Sequence, residues 1–178
     1  MLEEAGLRFL VRPARIAEDA APGAAPAAVA RDLALRKARA VASGLGRRRA
    51  VVLAADTVVA LDGGRLLGKP GDEAEAASHL RALSGTTHSV VTGVCLLDLP
   101  SGSEEVFHAE TRVTMRPLDE AEVRAYAASG EGRDKAGGYA IQESGDRLVS
   151  RVRGSRSNVV GLPIEEVLPR LAARGIRP

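Results

Sequence analysis

Two spacings of apolar residues alternate along the chain and set out its elements. Val29, Leu33, Leu35 and Val41, with basic residues between them and Gly44 after them, predict an amphipathic helix over residues 29–43. The continuous apolar run at residues 50–55 predicts a central strand buried on both faces and ending at Asp56-Thr57. Residues 58–61 and 65–67 flank Asp62-Gly63-Gly64, a hairpin signal. Asp72 with Glu75 forms an N-terminal capping pair for a helix reaching about Leu83, before Ser84-Gly85. Residues 90–97 and 105–115 predict long strands joined through Pro100-Ser101-Gly102, a second hairpin, and Asp119 with Glu122 caps a helix that ends near Gly130. Residues 147–153 predict a last strand, 154–158 a polar turn, and Pro163 opens a final helix closed by Gly175.

The N-terminal end follows a different pattern. Leu2-Glu3-Glu4-Ala5 before Gly6 has the form of a helix's last turn with its glycine cap. So short a helix does not support its own nucleation, which predicts the tail of an element that begins earlier. Residues 7–16 are a strand candidate interrupted by Pro13, hence an edge or a strand end. Residues 20–28, with Pro22, Gly23 and Pro26, predict a loop. Strands mixed with helices, two hairpins and no internal repeat predict one α/β domain over residues 1–178 with a mixed sheet.

Composition changes this picture in three places. The chain has 178 residues, 45% apolar but only 2% aromatic, with no Trp, so its core is built from Ala, Val, Leu and Ile. A formal charge of +2 creates no strong global field, and the basic groups at Arg36, Lys37 and Arg39, at 47–49, and at Arg151, Arg153 and Arg156 read as solvated faces. Cys95 is the single cysteine, which excludes an intramolecular disulfide; its apolar neighbours make it a buried strand residue. No apolar run approaches the roughly 20 residues of a membrane span, and the acidic N-terminal sequence lacks the form of a signal peptide. A cytoplasmic protein without a membrane partner is the expectation.

Asp56 carries the most chemical information. A carboxylate at the end of a buried strand loses hydration and needs a partner, a metal or a task, although capping the next turn is also open to it. Lysines lie in glycine- or proline-bounded loops, at Gly68-Lys69-Pro70 and at Lys135 before Ala136-Gly137-Gly138. Such loops bring backbone N–H groups and an ammonium to an anion, yet neither has the spacing of a nucleoside-triphosphate P-loop. Gly154-Ser155-Arg156-Ser157-Asn158 adds hydroxyl and amide donors in a third loop. Three donor-rich loops and one acidic residue point to a phosphate-containing substrate with a divalent cation. Oxygen ligands without clustered His or Cys favour Mg²⁺ or Mn²⁺ over zinc. His79, His88 and His108 are scattered and read as structural or surface residues.

These segments resemble, in order, the signatures of the Maf family. Leu33-Ala34-Leu35-Arg36-Lys37-Ala38 is similar to its helix motif. There follow Ala54-Ala55-Asp56-Thr57-Val58-Val59, Gly68-Lys69-Pro70 and Leu83-Ser84-Gly85-Thr86-Thr87-His88. The run from Asp134 to Gln142 (Asp-Lys-Ala-Gly-Gly-Tyr-Ala-Ile-Gln) and that from Gly154 to Pro163 complete the set. The resemblance covers essentially the whole chain. It implies an elongated mixed β-sheet flanked by helices, in two lobes with a cleft between them. It also implies a nucleoside triphosphate pyrophosphatase that cleaves between the α- and β-phosphates.

Residue by residue, the resemblance makes Asp56 the proton acceptor that activates water. It sets Lys37, Lys69 and Lys135 near the triphosphate, makes Thr57 and Gln142 determinants of base preference, and gives Glu18 and Asp56 to the metal. The Gly-Tyr-Ala-Ile-Gln and Asn-Val-Val-Gly-Leu-Pro forms resemble the branch acting on dTTP and UTP. A homodimer and a nucleoside triphosphate partner are implied as well, with no nucleic acid. Departures are specific. The family's opening strand and Ser-x-Ser-Pro-Arg-Arg loop have no counterpart, because the chain starts inside the following helix at Leu2; weakened activity and stability are expected from that. Glu143 stands where glycine is common, Ala17 where an acidic residue is common, and Arg156 where Tyr is frequent. Two other readings stay open: a nucleotide- or nucleic-acid-binding protein that has lost catalysis, motivated by the basic clusters, and a septum-related regulator. Against nucleic acid stand the near-balanced charge and the scarcity of aromatic platforms.

Overall fold

The run of β-formers in the middle of the chain folds into one sheet. A computed structural model describes residues 1–178 except Ala20, Pro22 and the side chain of Glu143. Its strands are β1 (Ala50–Ala60), β2 (Leu66–Leu67), β3 (Thr87–Leu99), β4 (Ser103–Met115) and β5 (Val149–Arg153), in the order β2-β1-β3-β4-β5. The α/β class expected from the pattern holds, but each pairing is antiparallel rather than mixed. Hairpins join β1 to β2 and β3 to β4, and a short reversal makes its two strands antiparallel by construction.

The largest difference from expectation lies in β1. The segments expected at 50–55 and 58–61 are one 11-residue strand. Asp56 and Thr57 sit inside it, opposite Gly93 and Thr92, so Asp56 is not at a strand end. Two polar side chains break the apolar run without breaking the ladder, because backbone pairing with the long, buried β3 continues on both sides. Nor is β1 fully buried along its length: residues 53–57 are only partly buried, and β2 pairs only with Val59 and Ala60.

Alternate residues of β3 serve two layers, as the two-residue period of a strand requires. Val91, Cys95 and Leu97 pack on α1 (Pro26–Ser43) through Ala30, Ala34 and Ala38. Val94 and Leu96 pack on α5 (Ile164–Ala173) through Val167 and Leu171. Gly93 lies on the α1 side, where a Cβ would come within 2.2 Å of the Ala30 carbonyl, so glycine lets helix and strand approach. Pro26 sets the helix start ahead of the expected Val29, in a first-turn position that loses no hydrogen bond. Cys95 is fully buried, and burial pushes its thiol up to about 11.

Two more helices, α2 (Glu73–Leu83) and α3 (Glu120–Ser129), close the other end of the sheet over Val113 and Met115. Asp72 accepts from the Glu75 backbone N–H at 2.8 Å, while the Glu75 carboxylate accepts from Gly71 at 2.7 Å instead of completing a reciprocal box. At α3 the box is complete, and Gly130 ends the helix in the left-handed conformation.

Three expectations are corrected. Residues 7–16 form no strand; Phe9, Leu10 and Val11 are exposed, among arginines and before a proline that cannot donate to a ladder. The polar turn at 154–158 is the start of a short helix, α4 (Arg156–Val160), because Ser155 caps it by accepting from the Asn158 N–H at 3.1 Å. Residues 143–148 form a 3₁₀ segment, which delays the last strand to Val149. The helix-end reading at Gly6 agrees with the structure. Its N–H donates to Glu3 O and that of Leu7 to Leu2 O, at φ 77° for Gly6. Within the expected 20–28 loop, Ala20 and Pro22 lie outside the described residues, and helix occupies the segment from Pro26. Among the described residues no helix is long and apolar enough to cross a membrane.

Candidate active site

The antiparallel register decides which way each polar side chain of β1 points. Asp56, opposite Gly93, faces α1, and Thr57, opposite Thr92, faces α4. From α1, Lys37 reaches Asp56 and donates to its Oδ1 at 2.5 Å. The same ammonium lies 2.6 Å from Glu18 Oε1, and Lys69 Nζ lies 3.3 Å from Glu18 Oε2. The Asp56 side chain is only 10% exposed. Burial pushes its carboxyl above the ordinary value, against the hydrogen bond from Lys37. Burial also works against the Lys37 ammonium, but its bonds to Asp56 and Glu18 outweigh that and raise its pKa. The Lys37 hydrogen bond holds Glu18 below the usual carboxylate range.

Glu18 belongs to no helix or strand, and its position is held by Arg36, the neighbour of Lys37 on α1. Arg36 donates to Ala17 O at 2.5 Å and to Asp19 O at 3.2 Å, gripping the backbone on each side of Glu18. The Gly68-Lys69-Pro70 loop is tied to the Lys135 loop by the Gly137 N–H donating to Gly68 O at 3.0 Å. Gly137 takes φ 78°, a conformation open to glycine, with Val59 close beneath it. Lys135 is half-exposed and pairs with Asp134 at 2.7 Å rather than with Glu18 or Asp56.

These elements enclose a cavity of about 260 Å³. Lys37, Asp56, Thr57, Lys69, Lys135 and Gln142 all line it, with Tyr139, Ile141 and Gly161 among the apolar and backbone walls. Glu18 stands beside them through its bonds to Lys37 and Lys69. Six residues drawn from four separate stretches of sequence are thus brought to one pocket. Gln142 is exposed within it. The Thr57 hydroxyl bonds that of Thr92 at 2.8 Å, and Thr92 donates to Asn158 O at 3.0 Å.

One expected donor loop is not available. Ser155 and Ser157 both bond Glu165 Oε2, at 2.9 and 2.6 Å, and Arg156 pairs with Asp146 at 2.6 Å. Asn158 is fully buried and donates to Val90 O and to Thr111 Oγ1, both at 3.0 Å. The polar groups of 154–158 therefore fasten α4 to α5, to the 143–148 segment and, through Asn158, to the sheet, and Val159, Val160 and Gly161 line the pocket. His88 is buried against Tyr139, and the His108 ring nitrogen Nδ1 lies 3.3 Å from Arg31 Nη1, so both are structural.

Among the described residues no group of three His, Cys, Asp or Glu side chains could hold a metal ion. What is present is a pair of carboxylates, Glu18 and Asp56, converging on one cation, the Lys37 ammonium. These two carboxylates are the oxygen donors here that would hold a hard divalent ion. The sequence alone reads Arg36 only as part of a solvated basic face, and its grip on the backbone beside Glu18 is not visible there. The signal was its place next to Lys37, but the partner carbonyls appear only in the folded chain.

The chain matches the model of the Maf-like protein family over residues 1–174. It is 48% identical over 176 residues to a dTTP/UTP pyrophosphatase of Moorella thermoacetica, covering 99% of this chain and 89% of the relative. A dTTP/UTP pyrophosphatase of Deinococcus radiodurans is 54% identical over 151 residues, 85% of this chain and 75% of the relative. One of Syntrophomonas wolfei is 43% identical over 175 residues, 98% and 91% of the respective chains.

Proposed function

The chain belongs to the Maf-like protein family, and we propose that it hydrolyses dTTP and UTP to the nucleoside monophosphate and pyrophosphate. The observation that carries this reading is a buried carboxylate, Asp56, in a pocket whose other charged groups include three lysines. Water attacks the α-phosphorus, an O–P bond forms as the bridge to the β-phosphate breaks, and the departing group is pyrophosphate. Such a reaction asks for an aligned water, a base and positive charge at the phosphate oxygens. Asp56 accepts the water's proton, and its burial-raised pKa makes it a stronger base than a solvated aspartate. Lys69 and Lys135, both half-exposed at the pocket, bind the β- and γ-phosphates.

Glu18 and Asp56 would hold the divalent cation, Mg²⁺ or Mn²⁺, which when bound neutralises phosphate charge. Gln142 reads the base: its amide both donates and accepts, as the imide edge of uracil or thymine requires. Thr57, fixed through Thr92, lines the same pocket. The working unit is a cytoplasmic homodimer acting on free nucleotides; near-balanced charge and scarce aromatic residues support free nucleotide over nucleic acid.

The test is pyrophosphate release from UTP and dTTP with Mg²⁺ or Mn²⁺. Asp56→Asn keeps the side chain's size and removes the base, so kcat is expected to fall about 10²- to 10⁴-fold. A wild-type protein inert towards both nucleotides, or a variant as active as the parent, would refute the assignment.

A further inference from the structure

Gln142 lies in a stretch of irregular backbone, yet the residues around it are tied down at five points. Helix α3 ends at Gly130, whose left-handed turn brings the next residue, Glu131, back over residues 144 and 145. Glu131 Oε1 accepts from the Gly145 N–H at 3.0 Å and from the Tyr126 hydroxyl at 3.1 Å, while Oε2 accepts from Ser144 Oγ. The Tyr126 oxygen in turn accepts from the Ala140 N–H at 3.0 Å. From the opposite side Arg156 donates to Ile141 O at 3.2 Å and pairs with Asp146 at 2.6 Å. The two ends of the stretch also touch: a Cβ at Gly145 would lie 1.7 Å from Ala140 O.

Ala140, Ile141, Ser144, Gly145 and Asp146 are therefore fixed, and the pocket-lining residue they enclose is Gln142. Neither Glu131 nor Tyr126 lines the pocket. A partly buried carboxylate that takes three donors from one loop and its support is more than a surface acid, because each donor would otherwise lose its partner. The arrangement resembles a bracket: Tyr126 of α3 and Glu131 just beyond its cap supply one arm, and α4 supplies the other through Arg156.

We infer that Glu131, acting with Tyr126, is a positioning residue for base selection: it sets the place of the Gln142 amide and so the preference for a pyrimidine with an imide edge. This rests on the reading given under Proposed function. Small displacements of a hydrogen-bonding group cost selectivity more than they cost chemistry, because the competing base is rejected by groups left unpaired. Glu131→Gln keeps the side chain's length but leaves one acceptor oxygen, and adds an NH₂ that faces donors.

The experiment compares UTP with CTP, whose cytosine lacks the imide N–H, in the full-length chain. For Glu131→Gln the ratio of kcat/KM for UTP over CTP is expected to fall about tenfold, mainly through KM for UTP, with kcat for UTP within about threefold of wild type. Tyr126→Phe, which keeps the ring and deletes the hydroxyl, is expected to move the ratio in the same direction and serves if Glu131→Gln fails to fold. The second arm is a cycle with Gln142→Ala: in that background Glu131→Gln should change the UTP/CTP ratio no further. An unchanged ratio in both single variants, or an equal loss for UTP and CTP carried by kcat, overturns the positioning role and leaves the pyrophosphatase reading standing. A full extra loss of selectivity in the Gln142→Ala background overturns the route through Gln142. A wild-type protein that turns over neither nucleotide overturns the function itself, and this inference with it.

Discussion

His88 makes a pH-dependent contribution to stability whose size follows from its surroundings. It is fully buried on β3, its Nε2 lies 2.7 Å from the Tyr139 hydroxyl, and the two rings meet edge to face at 5.5 Å. Burial, with Arg112 adding to it and Asp62 opposing, pushes the imidazole from an ordinary 6.5 down to about 4. Between those values the unfolded chain binds the proton and the folded chain does not. Stability is thus fully present above pH 6.5 and is lost as pH falls towards 4. That interval, at about 1.4 kcal/mol per pH unit, amounts to about 3.5 kcal/mol in full, of which about 3 is lost by pH 4. Folded domains are typically stable by about 5–15 kcal/mol, so the loss is a large share.

The perturbation that isolates it is His88→Gln, which keeps hydrogen-bonding capacity towards Tyr139 without a titrating ring. Urea unfolding followed by circular dichroism, at steps from pH 7 to pH 4, yields the two stability profiles. The wild-type protein is expected to lose about 3 kcal/mol more than the variant over this range, with the divergence beginning near pH 6.5. Carboxylates held low, such as Glu105 and Glu122, add their own loss only as pH falls through the acid range, and they cancel in the difference. Profiles that run parallel from pH 6.5 to 4.5 would refute the reasoning. The consequence reaches the site because Tyr139 opens the segment that carries Gln142.

Two further outcomes follow from close contacts. Gly93→Ala sets a methyl 2.2 Å from the Ala30 backbone, so α1 must shift. A loss of about 3 kcal/mol or more is expected, read as a drop in thermal midpoint with reduced pyrophosphate release because Lys37 rides on that helix; an unchanged midpoint contradicts the packing. Lys37→Met removes the ammonium now shared by Asp56 and Glu18. Calorimetric titration with Mn²⁺, without nucleotide, is expected to show affinity raised about tenfold or more, since a cation no longer competes for the carboxylates. Equal or weaker Mn²⁺ binding would count against those carboxylates as its ligands.

Local signals in the sequence were reliable where one short segment holds the whole cause. The capping box Asp119/Glu122 and the left-handed Gly130 bound α3 as expected, and the glycine-rich turns mark the hairpins. Signals failed where a distant strand decides the outcome. Asp56 looked like the end of β1 because a charged residue stops an apolar run, but the register with Gly93 continues the ladder through it. Phe9-Leu10-Val11 looked like a strand, but propensity without a partner ladder yields none. The converse error came from donors. Ser155, Arg156, Ser157 and Asn158 have the composition of an anion loop, and only the folded chain reveals that their groups are used on Glu165, Asp146 and the buried Val90 and Thr111.

The same distinction explains how the pocket is organised. Residues that face it directly, such as Asp56, Lys37, Lys69 and Gln142, stand in short motifs and are legible because their chemical type is itself informative. The residues that aim them are not. Arg36 acts on two backbone carbonyls on either side of Glu18, and Glu131 on a hydroxyl and an amide beside Gln142. Each is an ordinary charged residue in sequence, because what it binds is backbone or a neighbour rather than a substrate. Moving Asp56 from a strand end to the middle of β1 strengthens this division. A mid-strand carboxylate is held by the ladder on both sides, so its own position needs little support. The irregular segments that carry Glu18 and Gln142 have no ladder, and Arg36 and Glu131 supply the hydrogen bonds that a strand would otherwise have provided.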